Sequence, residues 1–227
     1  MSNNQIMWST ILLGGSTITY KLNGSDLDRQ LVEAFFDMDK EKVDELIAKG
    51  ANPNARLTIE KRENGIVTRS ETGTILMHLI QQGPIKAIHP KRKPMAQSGN
   101  PEKRKDQEVQ EERQRRLQIQ RANENARIEN QQRKNAIIDM VNFMLDRDGR
   151  ICENGARCDL SEIGLSKIGF DEVRDYVIMA HQVDMSVEEE MRQQGFNEIE
   201  DQNYHEVFLK KATEMRNQNN NQAQAGS

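Results

Sequence analysis

Aromatic residues make up only 4% of this 227-residue chain, one Trp, three Tyr and six Phe, while 30% of its residues are charged. So few large rings cannot fill several independent cores, so apolar burial must be concentrated in a few segments, with the rest left as solvated surface or linker. Long apolar runs are missing too. No stretch approaches the roughly 18 residues that a membrane-spanning helix needs, and the early apolar run at 11–13 has no basic residue before it, which argues against an ordinary secretory leader. Cysteine is nearly absent: Cys152 and Cys158 sit in one loop-like stretch with no His or second Cys pair at metal-ligand spacing. Free thiols, a reducing compartment and a cytoplasmic location are the expectation.

The motifs of common enzymes are missing as well. His205-Glu206 starts like a zinc-protease signature, but Leu209 stands where the second His belongs. Asp37, Asp39 and Glu41 start like a calcium loop, yet Lys42 replaces its turn glycine and Ala48 its bidentate Glu. There is no phosphate-binding glycine loop, and Gly14-Gly15 is not followed by a helix signal. The four histidines, His78, His89, His181 and His205, are dispersed. A non-catalytic protein with no metal and no cofactor is therefore expected.

What is present is a sequence of short amphipathic elements. Residues 1–24 read as a β-hairpin cap, two β-prone runs around Gly14-Gly15. Ser25 or Asp26 can cap a helix carrying Leu27, Leu31, Val32, Ala34 and Phe35, and a second helix carries Val43, Leu46 and Ile47 before Gly50. At 57–72 the period changes to two around Asn64-Gly65, a strong hairpin signal that predicts a projecting finger. Residues 84–134 differ in kind. From 86 to 134 they carry fourteen Lys/Arg against seven Asp/Glu in a chain whose net charge is −4, and they hold few large apolar residues, which predicts a basic, polar, partly helical insertion. Amphipathic helices return at 136–145, 160–168 and 171–183. Ser186 with Glu189 forms a capping-box pattern for a helix to 194, a last helix covers 203–216, and the Asn/Gln-rich residues 217–227 should be disordered. Leu76, Met77, Val141, Phe143, Met144, Leu145, Val173 and Val177 are the expected core.

One local pattern recurs: helix, break, helix with an aliphatic stripe, loop. Its clearest copy ends in Gly50-Ala51-Asn52-Pro53-Asn54-Ala55, which resembles the Gly-Ala-Asp-x-Asn-Ala ending of an ankyrin repeat. Gly73-Thr74-Ile75-Leu76-Met77-His78-Leu79 is similar to that family's Gly-x-Thr-Pro-Leu-His-Leu opening, with Ile75 for the proline and His78 one position late. Asn154-Gly155-Ala156-Arg157-Cys158-Asp159 resembles a second loop, and Gly169 to Val173 a third, weaker copy. The resemblance implies an all-α array of about three helix-hairpin repeats, with a β-hairpin finger, a long polar helical insertion and C-terminal capping helices. On that division, 25–83 hold repeat 1 and the first half of repeat 2, 135–185 the rest of repeat 2 and repeat 3, and 186–216 the cap.

The ankyrin resemblance also implies a protein–protein interaction module, binding a protein partner through its concave face and finger. Glu60, Lys61, Arg62, Glu63, Ile66 and Arg69 are the expected contacts. By analogy alone, such a short divergent array is similar to the ankyrin effectors that intracellular bacteria deliver into host cells. The alternative is nucleic-acid or acidic-surface binding by the insertion, through Lys91, Arg92, Lys93, Lys103, Arg104, Lys105, Arg113, Arg115 and Arg116. Interleaved Glu residues and the absence of aromatics for base stacking weigh against it.

Overall fold

The computed structural model of the chain describes residues 5–11, 16–86, 101–151, 165–198 and 201–225, with backbone alone at 101–109, 111 and 222–225. Strands β1 (Gln5–Ile11) and β2 (Thr17–Asn23) pair antiparallel over their full lengths. Helix α1 (Asp26–Phe36) starts at Ser25, whose hydroxyl accepts from the Asp28 amide while the Asp28 carboxylate accepts from the Ser25 amide at 2.6 Å. This is a capping box with Asp in the acidic position. The other oxygen of the buried Asp28 accepts from the Asn52 amide, also at 2.6 Å, tying the start of α1 to the loop that leaves α2 (Lys40–Ala48). Gly50 in that loop takes φ +95°, the left-handed position a helix C-terminus favours.

Strands β3 (Arg56–Glu63) and β4 (Ile66–Thr74) fold back at Asn64-Gly65, where both residues have positive φ. The two hairpins are not separate. β2 pairs with β3 residue by residue from Thr17 opposite Arg62 to Asn23 opposite Arg56, making one four-stranded antiparallel sheet in the order β1-β2-β3-β4. The fold is therefore α+β, and the all-α repeat array with a projecting finger is overturned. The physical reason lies in the alternation: Ile18, Tyr20 and Leu22 share a face with Leu57 and Ile59, so pairing the hairpins joins two apolar stripes over one core. An isolated two-stranded hairpin would be marginal.

Helix α3 (Ile75–Ile80) is capped by Thr74, whose hydroxyl accepts from Met77 N and donates to the Ile151 carbonyl at 3.1 Å. His78 is buried, which lowers its affinity for protons, and its Nε2 donates to the Leu57 carbonyl at 2.8 Å. Helix α4 (Pro101–Leu145) is continuous for 45 residues. After a short 3-10 turn, Leu165–Lys167, come α5 (Asp171–Gln193) and α6 (Tyr204–Ala225).

Chain compactness separates two units, Pro84–Asn135 and the remainder. In the smaller one, Asn130 of α4 exchanges two hydrogen bonds with the backbone of Ile85, at 2.7 and 3.0 Å. In the larger one, Leu22, Phe35, Leu46, Leu57, Leu76, Met140 and Val177 are fully or almost fully buried in one cluster. Of the expected core residues, Met77 and Phe143 are half-buried and the other six are buried.

Three further expectations meet a different structure. No break separates helices at 171–183 and 186–194: the stretch between holds no Gly or Pro, and Val183, Val187 and Met191 continue the stripe of Val173 and Val177. Ser186 therefore sits inside α5, donating to the Gln182 carbonyl at 2.9 Å instead of capping. Helix α6 runs on to Ala225 through the Asn/Gln-rich stretch expected to be disordered. Cys152, Cys158 and the loop Asn154 to Asp159 lie outside the described residues.

Helix α6 is held by a buried ionic junction. Arg216, 1% exposed, donates to Asp146 at 2.8 Å, just beyond α4, and to Asp184 of α5 at 3.1 Å. Thr213 adds a 2.8 Å bond to the same Asp146 oxygen. One cation between two carboxylates leaves a charge in excess. Burial, opposed by Arg216, raises the Asp184 pKa from 3.8 to about 6. A carboxyl that holds its proton more tightly when folded loses stability as pH rises through that window, by up to about 3 kcal/mol. Asp184→Asn should thus match the wild type near pH 4 and exceed it above pH 7 in urea titrations. A variant less stable than wild type at pH 8 would contradict this balance.

Candidate functional site

Among the described residues no further strand pairs with either edge of the sheet, and the two edges are built differently. On β4 the register shifts between Lys61 and Arg62, placing a bulge beside Val67. Along the same strand Arg69, opposite Lys61, pairs with Glu71 at 2.9 Å, so the like charges on the two strands each have a carboxylate partner. Bulges and charges are devices that stop an edge from adding further strands. β1 has neither. Its sequence, Gln-Ile-Met-Trp-Ser-Thr-Ile, contains no charge, proline or glycine, and its seven pairs with β2 carry no register shift. Along roughly 23 Å of such an edge, alternate residues turn their N–H and C=O groups away from β2, a template for another strand.

Side chains along β1 divide by face. Ile6, Trp8 and Thr10 lie opposite Leu22, Tyr20 and Ile18, and the Trp8 ring stacks on Tyr20 at 5.1 Å between centroids. Trp8 and Tyr20 are half-buried against the core, and this burial raises the Tyr20 pKa. On the opposite face Met7 and Ile11 are 60% and 79% exposed. Ile11, Thr17, Arg62 and Val67 form one row across the sheet, so the end of that face carries exposed aliphatic groups at both edges.

The residues expected to contact a partner are brought together on β3 and β4 but differ in what they offer. Glu60 is buried: it forms ion pairs with Lys21 of β2 and, at 3.1 Å, with Arg62. These cations, Lys21 first, hold its carboxyl below the usual range. Lys61 pairs with Glu63 at 2.7 Å. Ile66 is 70% exposed at the hairpin end and, of the six, presents an open apolar surface. Of the basic residues proposed for the insertion, Lys91, Arg92 and Lys93 lie outside the described residues, and Lys103, Arg104 and Lys105 sit on α4 with backbone alone described. Arg113 is exposed, Arg115 is half-buried, and Arg116 pairs with Glu112 at 3.0 Å.

Residues Met7, Trp8 and Ile11 were not among the expected contacts. Their signal was an uncharged strand at the start of the chain, next to a β2 that carries Lys21. Among the described residues no cluster of three or more His, Cys, Asp or Glu is placed to hold a metal ion, and no helix is long and apolar enough to cross a membrane.

The chain is thus an α+β protein whose sheet has one protected and one unprotected edge. Comparison with protein families, curated proteins and solved structures found no match to it, so the ankyrin resemblance rests on the sequence motifs alone. For the ionic bridge between Glu60, Lys21 and Arg62 the sign is clear: a depressed Glu60 pKa contributes stability above the carboxylate range that disappears as pH falls through it. Glu60→Gln should lower the thermal midpoint at pH 7, with the difference shrinking toward zero on acidification. Equal midpoints at pH 7 would show that the bridge contributes nothing.

Proposed function

We propose that the protein is a non-catalytic binding module that captures an extended segment of another protein by strand addition to β1. The observation that carries this is the seven-residue β1 edge, without charge, proline or bulge, in a protein whose other edge carries both a bulge and charges. Backbone hydrogen bonds would supply affinity and alternate side chains selectivity. A strand beside β1 sets every second side chain next to Trp8 and the intervening ones next to Met7 and Ile11. The fitting occupant is therefore uncharged and β-prone, with β-branched or aromatic residues on both faces. The paired Arg116-Glu112 and Arg127-Glu124 on α4 favour this over nucleic-acid capture by the insertion.

Random dodecapeptides selected on the intact protein test the idea. Selected peptides should be β-prone, should slow amide exchange in β1, and should lose at least about tenfold in affinity on Met7→Lys or Ile11→Lys. Peptides that instead protect α4, or that bind both variants unchanged, would sink it. So would a concentration-dependent dimer whose β1 amides are already protected, since a second copy would then occupy the edge.

A further inference from the structure

Trp8 and Tyr20 stand opposite each other in the β1–β2 register, with ring centroids 5.1 Å apart and planes inclined by 13°. That separation is close to the roughly 4.8 Å between paired strands. Two nearly parallel rings so spaced are stacked along the direction in which strands follow one another. One face of Trp8 therefore lies on Tyr20, and the other is turned away from β2, toward the place of the next strand. Tyr20 is followed in the same row by Ile59, and all three side chains pack against the core cluster. The Trp8 ring is thus backed on one side and held by packing. Among the described residues no second ring and no cation lies on its outer face.

A strand added to β1 sets one side chain directly opposite Trp8, whichever way the strand runs, because paired residues share a face of the sheet. The chemistry of that side chain follows from the ring it meets. An aliphatic group would cover the indole and contribute through area alone, whereas a second ring stacks offset on it and contributes beyond area burial. A cation is also drawn to an indole face. Here, however, Ile6 and Thr10 flank Trp8 on its side of β1 without charge, and the carboxylate in its row, Glu71, is three strands away and paired with Arg69 at 2.9 Å.

We infer that the strand captured by β1 carries an aromatic residue, Phe or Tyr, opposite Trp8, extending the Trp8–Tyr20 pair to a stack of three rings. This preference rests on strand addition to β1 and adds one fixed position in the partner, set by Trp8. The residues on either side of that position fall on the other face of the sheet, beside Met7 and Ser9.

Trp8 is the chain's one tryptophan, so its emission reports this position directly. Dodecapeptides selected on the intact protein should share one aromatic position. A selected peptide free of tryptophan is then remade with Phe, Leu, cyclohexylalanine or Arg there. The Phe peptide should shift Trp8 emission and bind at least about threefold tighter than the other three. In Trp8→Leu, with its fold checked by circular dichroism, that advantage should vanish; if the variant does not fold, the peptide series on the wild-type protein decides. Peptides that protect the β1 amides yet share no aromatic position, bind as well with Leu or cyclohexylalanine, prefer Arg, or keep their preference for Phe in Trp8→Leu overturn the aromatic preference and leave strand addition standing. Failure of every peptide to protect β1 overturns both. So does Trp8 emission that shifts with protein concentration alone, because a second copy would then lie on the edge.

Discussion

The pairing of β2 with β3 is the constraint on which the larger unit depends. It sets Leu22 against Leu57 and Tyr20 against Ile59, so that stripes from hairpins far apart in sequence become one apolar face. Leu22 and Leu57 are fully buried in the same cluster as α1, α2, α3, the end of α4 and α5. The connection between the two strands is the helix pair α1 and α2, anchored at both ends by Asp28. Asn54 extends that anchorage: its side chain donates to the Asp148 carbonyl at 2.8 Å and accepts from the Arg150 amide at 2.7 Å. The sheet, the helical hairpin and the turn after α4 are thereby held by a short chain of side chains from residues 28 to 54.

Local elements were legible because their signals are local. Ser25 caps α1, Gly50 ends α2 in the left-handed region, and Asn64-Gly65 makes the turn of β3 and β4, each where the residue chemistry requires it. Long-range pairing was not legible, because nothing in residues 17–23 names 56–62 as their neighbour. The helical repeat pattern therefore outweighed the strands and led to an all-α expectation. The Val183, Val187 and Met191 stripe shows the same limit at smaller scale: a capping-box pattern at Ser186 is only a helix start where the preceding residues leave the helix. Arg216 gave no signal at all. Nothing in the residues around it sets it apart, and only the folding of α6 onto α5 brings Asp184 to it.

The features that bear on function follow from these same facts. A meander of two merged hairpins necessarily leaves β1 and β4 as edges, and one carries protective charge while the other does not. Glu60 was among the residues expected to face a partner, yet sheet formation placed Lys21 beside it, and Lys21 and Arg62 cover its carboxylate on the face opposite Leu57 and Ile59. Exposed contact surface consequently moved to residues with no charge. The junction of α5 and α6 has the opposite character: one buried cation, Arg216, is shared by Asp146 and Asp184, and burial makes Asp184 hold its proton more tightly.

Amide hydrogen exchange of the free protein, resolved residue by residue over 5–23 and 56–74, is the most direct test of this architecture. The account predicts protection of β2 and β3 at every residue, but alternating protection along β1, where amides facing β2 exchange slowly and those facing outward exchange fast. Alternating protection in β2 and β3 would contradict it, because the hairpins would then be separate and the merged sheet absent.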